Sequence, residues 1–512
     1  MKTKKEEISL LNVIWIGFTF IAGITFTASF SSILGADGVG ANIYWIFALE
    51  GVIAFLCAWA FGKLVQVHPE ANGGGSQYTR TAFGKFWGLL LGLFNYAAIP
   101  VIAMGLMVTM VRNNFDNLAA YDSTLGEFSG SWGAWGNLYL DLISYALYIF
   151  AATVILMGLR KYKFLAIGIG YLTWGITILL MIFGLVAGFI HLGDDANNFI
   201  DHAKTFNLGF KNFSSTFITC FFAFCGLETF ITTGKNIKNR NKNMPIAIII
   251  IMIATTAFYI IFTMIIMFAI SGDFGGNPNM QIFDGFKSNF LQKFGSTLII
   301  ICTILMRFNS LLQITLFGGS TLEPLASQRF LPTALSKENE ENVPVGGIIT
   351  TGVIVTFTFI LFMIIPDVIQ GAMHKPSPFN YATLASTTSI LLIAIYMLVI
   401  PAAIVQAFRK NLKANWFEIG GWIFTMLFLT FNVGMWLYEL IDIFINPYDK
   451  YGDFDLQNVI ASIFQLIYLA LIFVAAVCLY FVYHKKQLQK IEGNKEEKAA
   501  LEKYEEVFKI VK

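Results

Sequence analysis

The sequence predicts an all-α polytopic membrane protein that crosses the bilayer about twelve times. Three observations predict it. Of the 512 residues, 56% are hydrophobic and only 13% are charged, too few charges to cover a soluble chain of this length. The apolar residues fall in runs of roughly 20 to 27, the length needed to cross about 30 Å of hydrocarbon. The loops between runs alternate, one set rich in Lys and Arg and the next in Asp, Asn and Gly.

The runs cover 11–34, 43–67, 86–111, 138–157, 164–190 and 213–233, then 244–270, 294–317, 345–365, 381–408, 416–443 and 459–483. The cationic loops hold Lys2, Lys4 and Lys5; Arg80 and Lys85; Arg160, Lys161 and Lys163; Lys235, Lys238, Arg240 and Lys242; Arg329 and Lys337; Arg409, Lys410 and Lys413; and Lys485. The alternate loops hold Arg112, Lys204, Lys211, Lys287, Lys293, Lys375 and Lys450. The excess of cations on one side places that side, with both termini, in the cytoplasm of a cell membrane. An even number of spans agrees with that placement. The first run is too long for a signal peptide and lacks a clear cleavage site, so it reads as a spanning helix. A net charge of +2 gives no signal for nucleic acid. All five cysteines lie within apolar runs with no CxxC pair, so neither disulfides nor structural zinc are expected. The tail from 484 onward is charged. Leu501, Tyr504, Val507 and Phe508 recur at helical spacing in it, fitting either a solvated tail or a plug at the cytoplasmic mouth.

Two spans carry chemistry. The first reads WIGFTFIAGITFTASFSS, with Gly17 and Gly23 near its middle. The sixth reads FFAFCGLETF, with Cys225 and Gly226. A glycine inside a spanning helix has two readings. It permits close helix packing, or it permits an unwound turn whose bare N–H and carbonyl groups bind a zwitterion. Glu228 follows at bilayer depth, where a carboxylate costs roughly 2.5–3.5 kcal/mol unless paired or hydrated. It reads as a proton site, a gate, or a structural acid. Arg307 in the eighth span needs an anion, from Glu50, Asp141, Glu228 or a substrate, unless it snorkels to the surface. Glu50 and Asp141 read as hydrated or hydrogen-bonded structural acids. The segment from His68 to Ser76 is glycine-rich, but no GK[ST] follows, so it reads as a shaped cytoplasmic loop and not a phosphate cradle. HExxH and GxSxG motifs and His/Cys clusters are absent from the sequence, so it is not read as an enzyme, and no cofactor or metal is expected.

Three segments together resemble the amino acid–polyamine–organocation (APC) family of amino-acid permeases. PEANGGGSQYTRTAFGKFWG, from Pro69, is similar to the family's P-E-x-G-G loop leading into helix three. FFAFCGLETFITTGKNIKNRNKNMP, from Phe221, is similar to its F-x-F-x-G-x-E segment and basic loop. LEPLASQRFLPTALSKENEENVPV, from Leu322, is similar to the stretch after helix eight. The resemblance implies a LeuT-like 5+5 inverted repeat with helices one and six broken. The tail would be 1–10, the repeats 11–190 and 191–408, two further helices 409–484, and a charged cytoplasmic tail 485–512. It implies a secondary active transporter, permease or exchanger, working by alternating access as helices one, two, six and seven rock. A sensor or channel that keeps the fold is the alternative.

By motif position, the resemblance implies that the substrate carboxylate meets N–H groups at Ala22, Gly23 and Ile24. The ammonium would meet carbonyls at Thr19, Phe222 and Cys225. Phe222 and Phe224 would act as gates, Asn95 and Ile314 would line the side-chain pocket, and Ile21, Ala223 and Gly226 would complete the site. Glu228 falls on the family's helix-six glutamate and, with Arg307, is assigned to gating or proton coupling. The helix-one G-[ST]-G of the family is Ile21-Ala22-Gly23 here. Helix five lacks the lysine of some proton-coupled members, and Asn309 and Ser310 do not form the sodium-type hydroxyl pair. Proton coupling or exchange is therefore expected over sodium. The tail is reminiscent of the glutamate/GABA antiporter branch, but GGST at 318–321 lacks that branch's arginine and leaves the substrate open. The expected partners are an amino acid and the lipid bilayer, with the chain a monomer or homodimer.

Overall fold

In a bilayer each backbone N–H and C=O must be satisfied within the segment, so long apolar runs fold as helices. The computed structural model describes residues 9–23, 33–34, 39–67, 74–112, 115–119, 121–122, 127–191, 209–224, 226, 228, 237–270, 278–339, 343–448 and 454–506. Among them, ten helices are long and apolar enough to cross a membrane. They are Ile43–Val67, Lys85–Thr109, Gly133–Leu156, Arg160–Ile190, Lys242–Ala269, Asn289–Ser327, Val345–Met373, Thr383–Phe408, Trp416–Ile445 and Leu456–Glu492. Two shorter apolar helices, Leu10–Ile21 and Asn212–Phe224, occupy the first and sixth places. The fold is thus that of a multi-pass membrane protein, and spans are numbered below by these places.

The third span is the centre of the array. Its most apolar stretch is 94% buried, against 17% for the last span, whose side chains face outward. The second span packs along the seventh. Gly51 permits the contact, since a Cβ there would stand 2.3 Å from the Thr256 side chain. Many hydroxyls inside spans are satisfied locally, as when Thr315 donates to the Leu311 carbonyl at 2.7 Å.

Several elements depart from expectation. The eighth helix runs Asn289–Ser327, well beyond the predicted 294–317, because Ser288 caps its start and its polar ends escape a hydropathy criterion. The chain is not wholly α. Tyr121–Asp122 pairs antiparallel with Glu127–Phe128 between the third and fourth spans. The glycine-rich loop leads directly into a helix, Gly75–Phe83, which starts after Gly74 at φ 56° and buries Gln77, Tyr78 and Thr79.

The third span is interrupted by a π turn at Ala97–Val101, around Pro100. Proline lacks an N–H, so the carbonyl about one turn before it loses its helical partner. Side chains from neighbouring spans reach other carbonyls of this turn. Tyr468 donates to the Ala97 carbonyl at 3.0 Å and Thr358 to the Val101 carbonyl at 3.2 Å. Two more π turns, Ile360–Ile364 and Cys478–His484, interrupt the ninth and twelfth spans.

The described part of the tail is helical, largely exposed, and held by ion pairs. Lys495–Glu506 lies against the start of the third span. Glu505 pairs with Arg80, and with Lys85 at 3.0 Å, while Arg329 reaches Glu497 at 3.5 Å. Arg80 also donates to Gln328 at 2.8 Å. Burial pushes the Tyr504 phenol up, and the Glu323 carboxylate adds to it. Val507 and Phe508 lie outside the described residues.

Candidate functional site

The first helix is short for a spanning segment, Leu10–Ile21. It ends at Ile21, and Ala22 is extended at φ −83°, ψ 138°, its N–H still bonded to the Phe18 carbonyl at 2.8 Å. The sixth helix, Phe210–Phe221, tightens into a 3-10 turn over Phe222–Phe224. Gly226 then takes φ 116°, a conformation side chains strongly disfavour. A Cβ at Gly226 would also lie 2.4 Å from the Phe20 ring. Conformation and space both demand glycine, and the ends of the two helices touch there. Phe317 of the eighth span, one turn beyond Ile314, meets Phe20 edge-on at 5.1 Å.

Polar groups serve the ends. Glu228 is 1% exposed. Its carboxylate accepts from the Gly226 N–H at 2.9 Å and from the Tyr396 hydroxyl at 3.1 Å. Asn95 donates to the Glu228 carbonyl at 3.4 Å. These contacts tie the sixth span to the tenth and third. At the other end, the Tyr259 hydroxyl donates to the Ile21 carbonyl at 3.2 Å. Tyr259 also sits under Phe224 and Phe47, at 5.8 and 5.5 Å. The arrangement gathers helix-end amides and carbonyls in a buried place, the backbone chemistry that a zwitterion needs.

The predicted residues divide accordingly. Ile21, Ala22, Gly23, Ala223, Phe224, Gly226, Glu228 and Asn95 are buried around the two ends. Phe222 is half-buried in the 3-10 turn. The Thr19 hydroxyl is turned to the Ile16 carbonyl at 3.2 Å. Ile314 is buried in the core. Ile24 and Cys225 lie outside the described residues.

Arg307 is 8% exposed, buried rather than snorkelled, with Nη1 2.8 Å from the Met107 sulfur. Asp141 is not its partner. Arg112 holds Asp141 at 2.8 Å and Asp367 at 2.5 Å. Glu50 is not its partner either. It is 0% exposed, and neither carboxylate oxygen has a hydrogen-bond partner among the described residues. Sequence reasoning missed Tyr259 and Tyr396. A signal existed, since a lone tyrosine in an apolar span needs somewhere to put its hydroxyl. Among the described residues, no group of His, Cys, Asp and Glu forms a metal site.

Residues 8–447 match a family described as Amino acid permease. The chain is 27% identical over 253 residues to cationic amino acid transporter 1 of Schizosaccharomyces pombe, covering 48% of this chain and 39% of that protein. It is 22% identical over 329 residues to human cationic amino acid transporter 4, covering 62% and 49%. It is 25% identical over 375 residues to amino-acid permease inda1 of Hypocrea atroviridis, covering 69% and 60%. The chain therefore matches only 39% to 60% of the length of these relatives. The family match, by contrast, runs through the first and sixth helices and all but the end of the helical array, and the chain belongs to the APC-type amino acid permeases, a family of transporters and not enzymes.

Proposed function

We propose that this protein is a secondary active amino-acid transporter that works by alternating access. The meeting of two helix ends at Gly226 carries the reading. The substrate carboxylate would be held by amides following Ile21, and its ammonium by carbonyls at Thr19, Phe222 and Cys225. Phe222 and Phe224 would close over it, and Asn95 and Ile314 would shape the side-chain pocket. The Asn95 and Tyr396 contacts of Glu228 favour a gate, because they join the sixth span to helices that would stay still. A LeuT-like pair of inverted repeats, 11–190 and 191–408, supplies the frame for that motion. The cationic loops support a cytoplasmic side that holds both termini.

The substrate is an amino acid recognised through its backbone charges. Relatives named as cationic transporters bring lysine and arginine into the panel. The apolar lining favours neutral amino acids. The docked tail keeps the glutamate/GABA exchanger branch in view without assigning its substrate.

Proteoliposomes loaded with unlabelled amino acids and given labelled ones outside test the reading. Counterflow of at least one amino acid is expected. Tight binding without counterflow would leave a sensor, and conductance without counterflow a channel. Neutral, cationic and anionic members of the panel assign the class.

A further inference from the structure

Glu228 and Glu50 are both buried acids in the helices proposed to rock, but their settings differ. Glu228 receives an amide and a hydroxyl, donors that support a charged carboxylate. Glu50 receives no hydrogen bond from any described residue. It lies in the second span, a turn after Phe47, whose ring stacks on Tyr259. Cys220 of the sixth span and Tyr259 of the seventh are within electrostatic reach of it. Cys57, two turns further along the second span, faces Glu228 in the same way. Among the described residues, the cation Arg307 acts on Tyr259. Thus Glu50 faces a thiol and a phenol, and the phenol's proton is already directed at Ile21.

A charged carboxylate loses its hydration on burial, and among the described residues no donor or cation replaces it. The neutral acid is the form this site accommodates. We propose that Glu50 is the proton-binding acid of the transport cycle, neutral while the second span is packed against the sixth and seventh, and deprotonated when those helices part. The O–H bond breaks, water in the opened cavity takes the proton, and a carboxylate remains. A proton taken up from the other side restores the acid before the helices repack. Tyr259 links the event to the substrate site, because it touches the Glu50 neighbourhood with its ring and the first helix end with its hydroxyl. This inference rests on the transport reading and supplies its coupling ion.

Glu50→Gln replaces the neutral acid with a neutral isostere, so thermal unfolding in detergent is expected to be unchanged. The infrared difference spectrum, wild type minus variant at neutral pH, is expected to show the carbonyl stretch of a protonated carboxyl group. In proteoliposomes, accumulation driven by an imposed pH gradient is expected to vanish, the internal-to-external ratio falling to unity. Glu228→Gln is expected to retain the infrared band. If Glu50→Gln does not fold, Glu50→Asp gives the same readout as a shifted band. A difference spectrum without the band overturns the proposal, and so does gradient-driven accumulation that survives in Glu50→Gln. A wild type that transports no amino acid would instead defeat the transport reading, with the infrared result still deciding the state of Glu50.

Discussion

The third span carries a charged cluster at each end, and the two are built differently. At the Arg112 end, one guanidinium lies between Asp141 and Asp367, with side-chain exposures of 11%, 0% and 1%. At the Lys85 end, Lys85 and Arg80 meet Glu505 of the tail, with exposures of 40%, 5% and 30%. The first cluster joins the third, fourth and ninth spans inside the protein. The second joins the third span to a helix that arrives from the far end of the sequence. The pairs are chemically alike, but solvent makes one a permanent clasp and the other a releasable latch. Breaking a buried pair strands a charge, whereas breaking Lys85 from Glu505 returns both to water and leaves the buried Arg80 on Gln328.

Four measurements would break or sharpen this contrast. Arg112→Ala leaves two carboxylates buried without their cation, so unfolding in detergent is expected to become easier by about 3–5 kcal/mol. A loss as small as that from cutting the tail would erase the distinction. Asp367→Asn keeps an acceptor for Arg112 and removes the excess negative charge, and is expected to cost about 1 kcal/mol. Deleting 494–512 leaves Arg80 on Gln328 and is expected to cost about 1 kcal/mol, well below Arg112→Ala. Raising salt from 0.1 to 1 M shortens the screening length from about 10 to 3 Å. A spin label on the tail should then report release, with Arg112→Ala and wild type responding to salt alike at the other end.

Legibility in the sequence followed the physics of each feature. The tenth span was predicted at 381–408 and folds as Tyr381–Phe408, because hydropathy changes sharply at both borders. The eighth span was predicted too short, because amphipathic ends look like loops to a hydropathy measure. The Tyr121–Phe128 hairpin gives too short a pattern to register against its polar surroundings. Arg112 was counted as a loop charge, although its depth in the cluster depends on two acids far away in sequence. Gly226 and Glu228 were legible because glycine and carboxylate are both costly at that depth. Tyr396 and Tyr259 were not, since a tyrosine in an apolar span shows that a partner exists without saying which. The docking of Glu505 on Arg80 joins opposite ends of the chain and has no local signature.

The π turn at Ala97–Val101 also affects how this protein must be compared with others. Such a turn holds one residue more than the helix around it needs, and the faces on either side keep their alignment. A related chain can therefore lack that residue and still present the same surfaces. Any alignment that refuses gaps within helices would then shift Asn95 or Arg112 by one position, about 100° around the helix axis. The side chain beside Glu228 and the cation between two acids would be matched to strangers, and their conservation misjudged.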